Sequence, residues 1–236
     1  MKGEVEQWES AIACEGRVVV LEETTSTQDA AIALKLQAGD VCGALVQTSG
    51  RGRRGNAWDG TGGVAITVVL EEAPPELSIA VAAVLAEQLE ACIEHAVGIK
   101  WPNDLFVEGQ KLAGILIEQH GDVCLVGVGI NVAKKNYPNA VSLQELGADV
   151  DRSCVAGLIV SSIFSALGLS AEAAVSLWQT RDILVGTTQS FISNNNSMSA
   201  SGVVVVKMWR CENKAWEQGG ATFQRRRTSG TRLTRD

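Results

Sequence analysis

Apolar positions in this chain fall into two patterns that follow one another without a fixed repeat. Val18–Leu21, Val41–Gln47 and Val64–Leu70 are short β-branched runs and predict strands. Asp29–Ala38, Glu76–His95, Asp151–Leu167 and Ala171–Trp178 are Ala- and Leu-rich stretches with an apolar face, and predict helices. The hydroxyls of Thr24–Thr27 suit the start of the first helix, and Gly39 suits its end. Val97–Trp101 reads as a strand broken by Pro102. Leu112–Gln119 and Val123–Asn131 flank His120-Gly121-Asp122 and predict a hairpin. Hairpins mixed with helices, and no repeating βαβ unit, predict an α+β fold: a mixed, mostly antiparallel sheet with helices packed on it.

The two ends read differently. Residues 1–17 look like a polar, acidic extension before the first strand. Residues 18–189 form one catalytic-sized unit, and residues 190–236 a divergent C-terminal segment. Within that segment, Ser190–Ser201 is Asn/Ser-rich and reads as a linker, Val203–Val206 as one strand, and Arg225–Asp236 as a disordered basic tail. From Lys207 onward there are 8 Lys/Arg against 3 Asp/Glu, whereas the rest of the chain holds 12 against 24. An acidic body argues against a general nucleic-acid surface. It also isolates Arg51, Arg53 and Arg54 as a cationic cluster aimed at a local anion. The six cysteines (Cys14, Cys42, Cys92, Cys124, Cys154, Cys211) lack CxxC spacing and read as reduced core thiols rather than metal ligands or disulfides. No run is long and apolar enough to span a bilayer, and Met1–Ser10 has no signal-peptide character. The expected location is cytoplasmic.

Thr48–Gly63 carries six glycines and neither helical nor strand periodicity. Within it, Gly50-Arg51-Gly52-Arg53-Arg54-Gly55 is the sharpest chemical signal. Glycines let the backbone approach a ligand, and arginine forks match phosphate and carboxylate oxygens. A solvated basic turn is the plain alternative. Trp58 is either a stacking wall or an ordinary half-buried core residue. Lys100-Trp101-Pro102-Asn103-Asp104 ends a strand in a rigid turn, where Asn and Asp also serve simply to close turns. Lys111 opens the hairpin and faces either solvent or a pocket beside the arginines. There is no GxxxxGK[ST] and no GxSxG sequence. A bound nucleotide would therefore be held by a loop of another kind.

Taken together, Thr25-Ser26-Thr27-Gln28, Gln47, Gly50–Gly55, Lys100–Asp104, Lys111–Leu116 and Gly127–Asn131 resemble the catalytic domain of biotin protein ligases, in order and interval, over residues 18 to 180. The resemblance implies two steps. Biotin carboxylate attacks the α-phosphate of ATP, with Mg²⁺ accompanying the nucleotide and no separate protein metal site, to give biotinoyl-5′-AMP and pyrophosphate. A lysine of the biotin carboxyl carrier domain of acetyl-CoA carboxylase, or a related carboxylase, then takes the biotinoyl group. Arg51, Arg53 and Lys111 match the catalytic positions. Ser26, Thr27, Gln28, Gln47, Gly50 and Gly114, with the same Arg51, Arg53 and Lys111, match the biotin site; Gln28 replaces a common Asn. Gly52, Arg54, Trp58, Asn103, Asp104 and Asn131 match the ATP and adenylate site, again beside Arg51, Arg53 and Lys111.

The chain departs from the family at both ends. The residues before the first strand are too few for a helix-turn-helix, so no DNA binding is expected. The C-terminal segment lacks the strand alternation of the family's small SH3-like barrel, and is either a divergent end or the product of a shifted reading frame. A monomer or homodimer, free of membrane, is expected. A lipoate or octanoyl transferase of the same fold and a non-catalytic biotin-binding regulator remain the alternatives.

Overall fold

The computed structural model describes residues 2–134, 137 and 139–185, together with the backbone of 188–193 and 196–201. The chain divides into one unit of Met1–Ile183 and a second of Leu184–Asp236.

The first unit is built on a seven-stranded sheet of order β1-β2-β5-β9-β8-β7-β6. Its strands are β1 (Val18–Thr24), β2 (Val41–Gln47), β5 (Val64–Leu70), β6 (Gly98–Lys100), β7 (Asp104–Val107), β8 (Gln110–His120) and β9 (Val123–Ile130). Two more, β3 (Gly50–Arg51) and β4 (Ala57–Trp58), pair with each other alone. The helices are α1 (Lys2–Ala11), α2 (Thr27–Ala33), α3 (Leu77–Glu90), α4 (Arg152–Leu167) and α5 (Ala171–Gln179). The sheet is mixed and mostly antiparallel, as its patterning predicts. The exception is β1 with β2, which run parallel and are joined through α2 in a single βαβ unit.

Strand β5, inside the sheet between β2 and β9, is buried along its whole length, which is why its sequence is an apolar run interrupted only by Thr67. The β8–β9 hairpin turns at Gly121, whose φ of 58 suits glycine. α2 lies on one face of the sheet, where Ala30, Ala31 and Leu36 pack with Cys42, Val69 and Leu125. α4 packs against β5, α3 and α1.

Several sequence expectations need correction. The helix expected over Asp29–Ala38 starts earlier and ends at Ala33, because Lys35 adopts φ 53 and breaks it before Gly39. Its N-cap Ser26 makes no side-chain cap bond. α3 stops at Glu90, so His95 lies beyond the helix and contacts Glu108 at 3.3 Å. Asp104, expected in a turn, begins strand β7, which pairs with β6 and β8. The loop over Thr48–Gly63 contains the β3–β4 pair and a 3-10 turn at Arg53–Gly55. Residues 1–17, expected only as an extension, include α1, whose Trp8 is 1% exposed. In the second unit, the expected linker Ser190–Ser201 falls in an antiparallel pair, β10 (Thr188–Ser193) and β11 (Asn196–Ser201). The expected strand Val203–Val206 and the basic tail lie outside the described residues.

Five cysteines, Cys14, Cys42, Cys92, Cys124 and Cys154, are free. Burial pushes the Cys42 thiol up to about 12 and Cys124 up to about 11, as expected of inert core thiols.

Candidate active site

The face of the sheet under α2 carries two rows of small residues. Strand register sets Ala44, Ala65, Gly129, Gly114 and Asp104 side by side across five strands. It sets Cys42, Thr67, Gly127 and Leu116 in the adjacent row. Glycines here make room for other side chains. A Cβ at Gly129 would stand 2.6 Å from the Trp58 indole, and one at Gly127 would stand 2.9 Å from Gln28 Nε2. A Cβ at Gly114 would meet both Asp104 Oδ1 and Lys111 Nζ at 3.3 Å.

One wall is the start of α2. Ser26, Thr27 and Gln28 are all buried there, at 3%, 3% and 4% exposure, which is unusual for polar side chains and requires partners. The Thr27 amide donates to Gln47 Oε1 at 2.9 Å, so the β2 side chain caps the helix in place of Ser26. The Thr27 hydroxyl bonds Gln47 Oε1 at 3.3 Å and Thr67 Oγ1 at 2.8 Å. Gln28 Nε2 donates to the carbonyls of Leu116 at 3.0 Å and Leu125 at 3.4 Å, which anchors α2 to the β8–β9 ladder. Gly50 sits against this wall, since a Cβ there would be 2.5 Å from Gln47 Nε2.

The opposite wall is cationic. Lys111 Nζ bonds Asp104 Oδ1 at 2.7 Å and stands 5.4 Å from the centroid of the Trp58 ring. Asn103 Nδ2 donates to the same Asp104 oxygen at 3.2 Å and to the Ile115 carbonyl at 2.8 Å. The Asn103 oxygen in turn accepts from Arg53 at 3.3 Å. Arg53 and Lys111, far apart in sequence, are therefore tied into one polar chain through Asn103 and Asp104. Burial lowers the Arg53 pKa, with Arg54 adding to that effect and Asp104 opposing it, yet a guanidinium stays charged at neutral pH.

Arg51 is placed differently. Its guanidinium reaches Asp29 at 2.5 Å and Glu118 at 3.1 Å. The Asp29 contact, against some desolvation and with help from Glu118, raises its pKa. Arg54 is exposed and takes φ 58, next to Gly55 at φ 75, so the turn bends sharply between them. Asn131 is buried; its Nδ2 donates to the carbonyls of Lys111 and Val141, each at 3.1 Å. It braces the Lys111 backbone, and only its side-chain oxygen is left for a ligand.

The expected site residues thus gather on one sheet face: Ser26, Thr27, Gln28, Gln47 and Gly50 on the α2 side; Arg53, Trp58, Asn103, Asp104, Lys111 and Gly114 on the other; Gly52 and Arg54 in the turn; Arg51 drawn aside by two acids. Sequence reasoning missed Thr67, Asp29, Glu118 and the spacer roles of Gly127 and Gly129. Thr67 could have been found as the lone hydroxyl in an otherwise apolar strand. The two glycines alternate with branched residues in Val123–Ile130, and that spacing marks one strand face kept clear.

The chain is similar to known ligases in sequence and in fold. A model of the biotin/lipoate A/B protein ligase family matches residues 19–134. The bifunctional ligase/repressor BirA of Escherichia coli (strain K12) is 34% identical over 165 residues, covering 62% of this chain and 51% of that protein. The biotin–[acetyl-CoA-carboxylase] ligase of Mycobacterium tuberculosis is 32% identical over 163 residues, covering 61% of each. The chain therefore spans 51% and 61% of the length of these two relatives. Among solved structures, the biotin protein ligase from Aquifex aeolicus in complex with biotin and ATP superposes with a TM-score of 0.70 at 26% identity, over 78% of this chain and 86% of that one. Residues 19–134 thus match the biotin/lipoate A/B protein ligase family.

Proposed function

We propose that the chain is a biotin protein ligase that forms biotinoyl-5′-AMP and transfers biotin to a lysine of a biotin carboxyl carrier domain of acetyl-CoA carboxylase or a related carboxylase. The observation that carries this reading is the chain Arg53–Asn103–Asp104–Lys111, which gathers two cations beside a buried polar wall. Uniting a carboxylate with a triphosphate means bringing two anions together. Fixed cations that need no reorganisation offset that repulsion and the charge developing at phosphorus. The names of the relatives and the biotin and ATP bound to the Aquifex enzyme support the same chemistry.

In the first step a biotin carboxylate oxygen bonds to the α-phosphorus and the bond to the β-phosphate bridging oxygen breaks, releasing pyrophosphate. Lys111 and Arg53 flank the reacting centre, and Arg51 joins them on leaving its acids. Ser26, Thr27, Gln28, Gln47, Gly50 and Gly114 form the biotin side. Trp58, with Lys111 near its ring, walls the adenylate side together with Gly52, Arg54, Asn103, Asp104 and Asn131. In the second step a carrier lysine nitrogen bonds to the acyl carbon, AMP departs with the electron pair, and the amine loses a proton. Among the described residues no cluster of three His, Cys, Asp or Glu could hold a metal ion. Mg²⁺ would accompany the ATP phosphates and offset their charge. Free cysteines fit a reducing compartment such as the cytoplasm.

Biotin-dependent ATP–pyrophosphate exchange tests the reading, with radiolabelled biotin and lipoate compared for incorporation into a carrier domain. Exchange that requires biotin and collapses in Lys111→Ala and Arg51→Ala is expected. Exchange without biotin, or lipoate incorporation in its place, overturns it.

A further inference from the structure

β2 and β5 pair at four positions, from Val41↔Val68 to Ala44↔Ala65, and then part. Beyond the fork β2 continues along β1 to Gln47, and the chain entering β5 comes from the Gly60–Gly63 turn. The two arms of this fork border the polar wall. Gln47 caps α2, and Gly60 lies so close that a Cβ there would stand 3.0 Å from the Gln47 carbonyl oxygen. Backbone carbonyls left unpaired at such a point must find donors.

They find Arg152, the first residue of α4. Its Nη2 donates to the carbonyl of Leu45 on one arm and, at 2.9 Å, to that of Gly63 on the other; its Nε also reaches Gly63 at 3.1 Å. One planar guanidinium thus bridges both arms where the ladder stops. Its remaining edge is held from α1. Nη1 bonds Glu4 at 3.1 Å, and the guanidinium carbon stands 5.0 Å from the centroid of the buried Trp8 ring. Among the described residues, the hydrogen bonds, ion pair and ring contact of Arg152 go to Leu45, Gly63, Glu4 and Trp8, none of them assigned to the cofactor or substrate.

We propose that Arg152 is a positioning residue that sets the width of the fork, and with it the placement of Gln47 and Thr27 for biotin, with α1 holding the guanidinium in register. This rests on the biotin reading above. A lysine keeps the charge but cannot present two coplanar donors to two carbonyls. The effect should fall on biotin more than on ATP, because the β2 arm ends at Gln47, which bonds Thr27 on the α2 wall, and the other arm passes against Gln47 at Gly60 before it reaches Trp58.

The test is biotin-dependent ATP–pyrophosphate exchange by the full chain, with KM for biotin and for ATP measured separately, well below the thermal midpoint of each variant. Arg152→Ala should raise KM for biotin about tenfold or more while KM for ATP stays within about twofold. Millimolar methylguanidinium should restore part of the loss, and Arg152→Lys should fall in between. Trp8→Leu should shift KM for biotin in the same direction by less. An unchanged KM for biotin in folded Arg152→Ala, or a loss confined to kcat that methylguanidinium does not repair, overturns the proposal. Should Arg152→Ala not fold, Arg152→Lys decides: a rise in KM for biotin supports the proposal and an unchanged value overturns it. Wild-type chain without biotin-dependent exchange would instead refute the biotin reading itself.

Discussion

The two sides of the site use glycine for opposite ends. On the sheet, a Cβ at Gly127 or Gly129 would collide with Gln28 or Trp58, and one at Gly114 would crowd Lys111 and Asp104. In the loop, a Cβ at Gly52 would meet nothing nearer than 3.5 Å, and at Gly55 nothing within 4 Å, but Gly55 holds φ 75. The sheet glycines are spacers in a packed bed. Gly52 and Gly55 shape a backbone that stands clear of it. A bed fixes the geometry of cations before any ligand arrives, and a loop adapts to the ligand afterwards.

If the bed supplies the fixed charge, its lysine should matter most. Lys111→Ala is expected to lower biotin-dependent pyrophosphate exchange by about 10²–10³-fold. It should also leave the Asp104 carboxylate without its cation. Asp104→Asn should then cost less than Lys111→Ala, and equal losses would mean that the ion pair, not the cation, is what counts.

Substituting a spacer should come next. Gly129→Ala pushes a methyl into the Trp58 indole and should raise KM for ATP by about tenfold to a hundredfold with the fold intact by circular dichroism. Gly52→Ala, whose new methyl meets only ordinary contacts, should change either KM by less than about threefold. Similar losses in the two variants would erase the distinction between bed and loop.

The bed has a pH signature as well. Cys42 on β2 and Cys124 on β9 stay protonated in the folded state because burial raises them to about 12 and about 11, against 9.0 for a free thiol. The unfolded chain therefore loses these protons first. Their contribution to stability is complete below pH 9 and is lost as pH rises toward the folded values. Between pH 9 and pH 10 each thiol should cost about 1 kcal/mol, seen as a falling midpoint in urea. Cys42→Ala should flatten that slope, and a slope unchanged in Cys42→Ala would show that the thiol is not the titrating group.

Much of this bed can be read in the sequence and much of the cover cannot. The strand runs Val41–Gln47 and Val64–Leu70 and the hairpin around Gly121 announce themselves through local patterning, which is also what determines them. The fold class follows from their mixture with helices. β7 escaped because its four residues follow Pro102-Asn103, and turn chemistry there outweighs a short apolar signal. α1 escaped because its pattern is mostly polar, with Val5 and Trp8 as its large apolar residues, and Trp8 packs under Arg152, which is remote in sequence. Motif residues such as Arg53 and Lys111 were legible as chemistry, but the Asn103–Asp104 link between them exists only once β7 and β8 pair. Asn131 was placed at the nucleotide by resemblance, and its amide nitrogen is spent on the Lys111 and Val141 carbonyls. Partners set by tertiary register leave no trace in spacing.

The smallest expected effect concerns Arg51, where the loop meets the bed. Its guanidinium rests on Asp29 and Glu118, whose side chains are 50% and 39% exposed. Exposed pairs of this kind are each worth only about 0.2–1 kcal/mol. An incoming anion must displace both carboxylates, so they compete with substrate for the same cation. Asp29→Asn with Glu118→Gln should therefore lower KM for ATP by at most about fivefold, and by less at high salt, where screening has already weakened the pairs. The opposite sign is equally readable. A rise in KM on removing the acids would mean that they orient the arginine toward the ligand, in which case the loop is preorganised by the bed and the contrast between the two regions is one of degree.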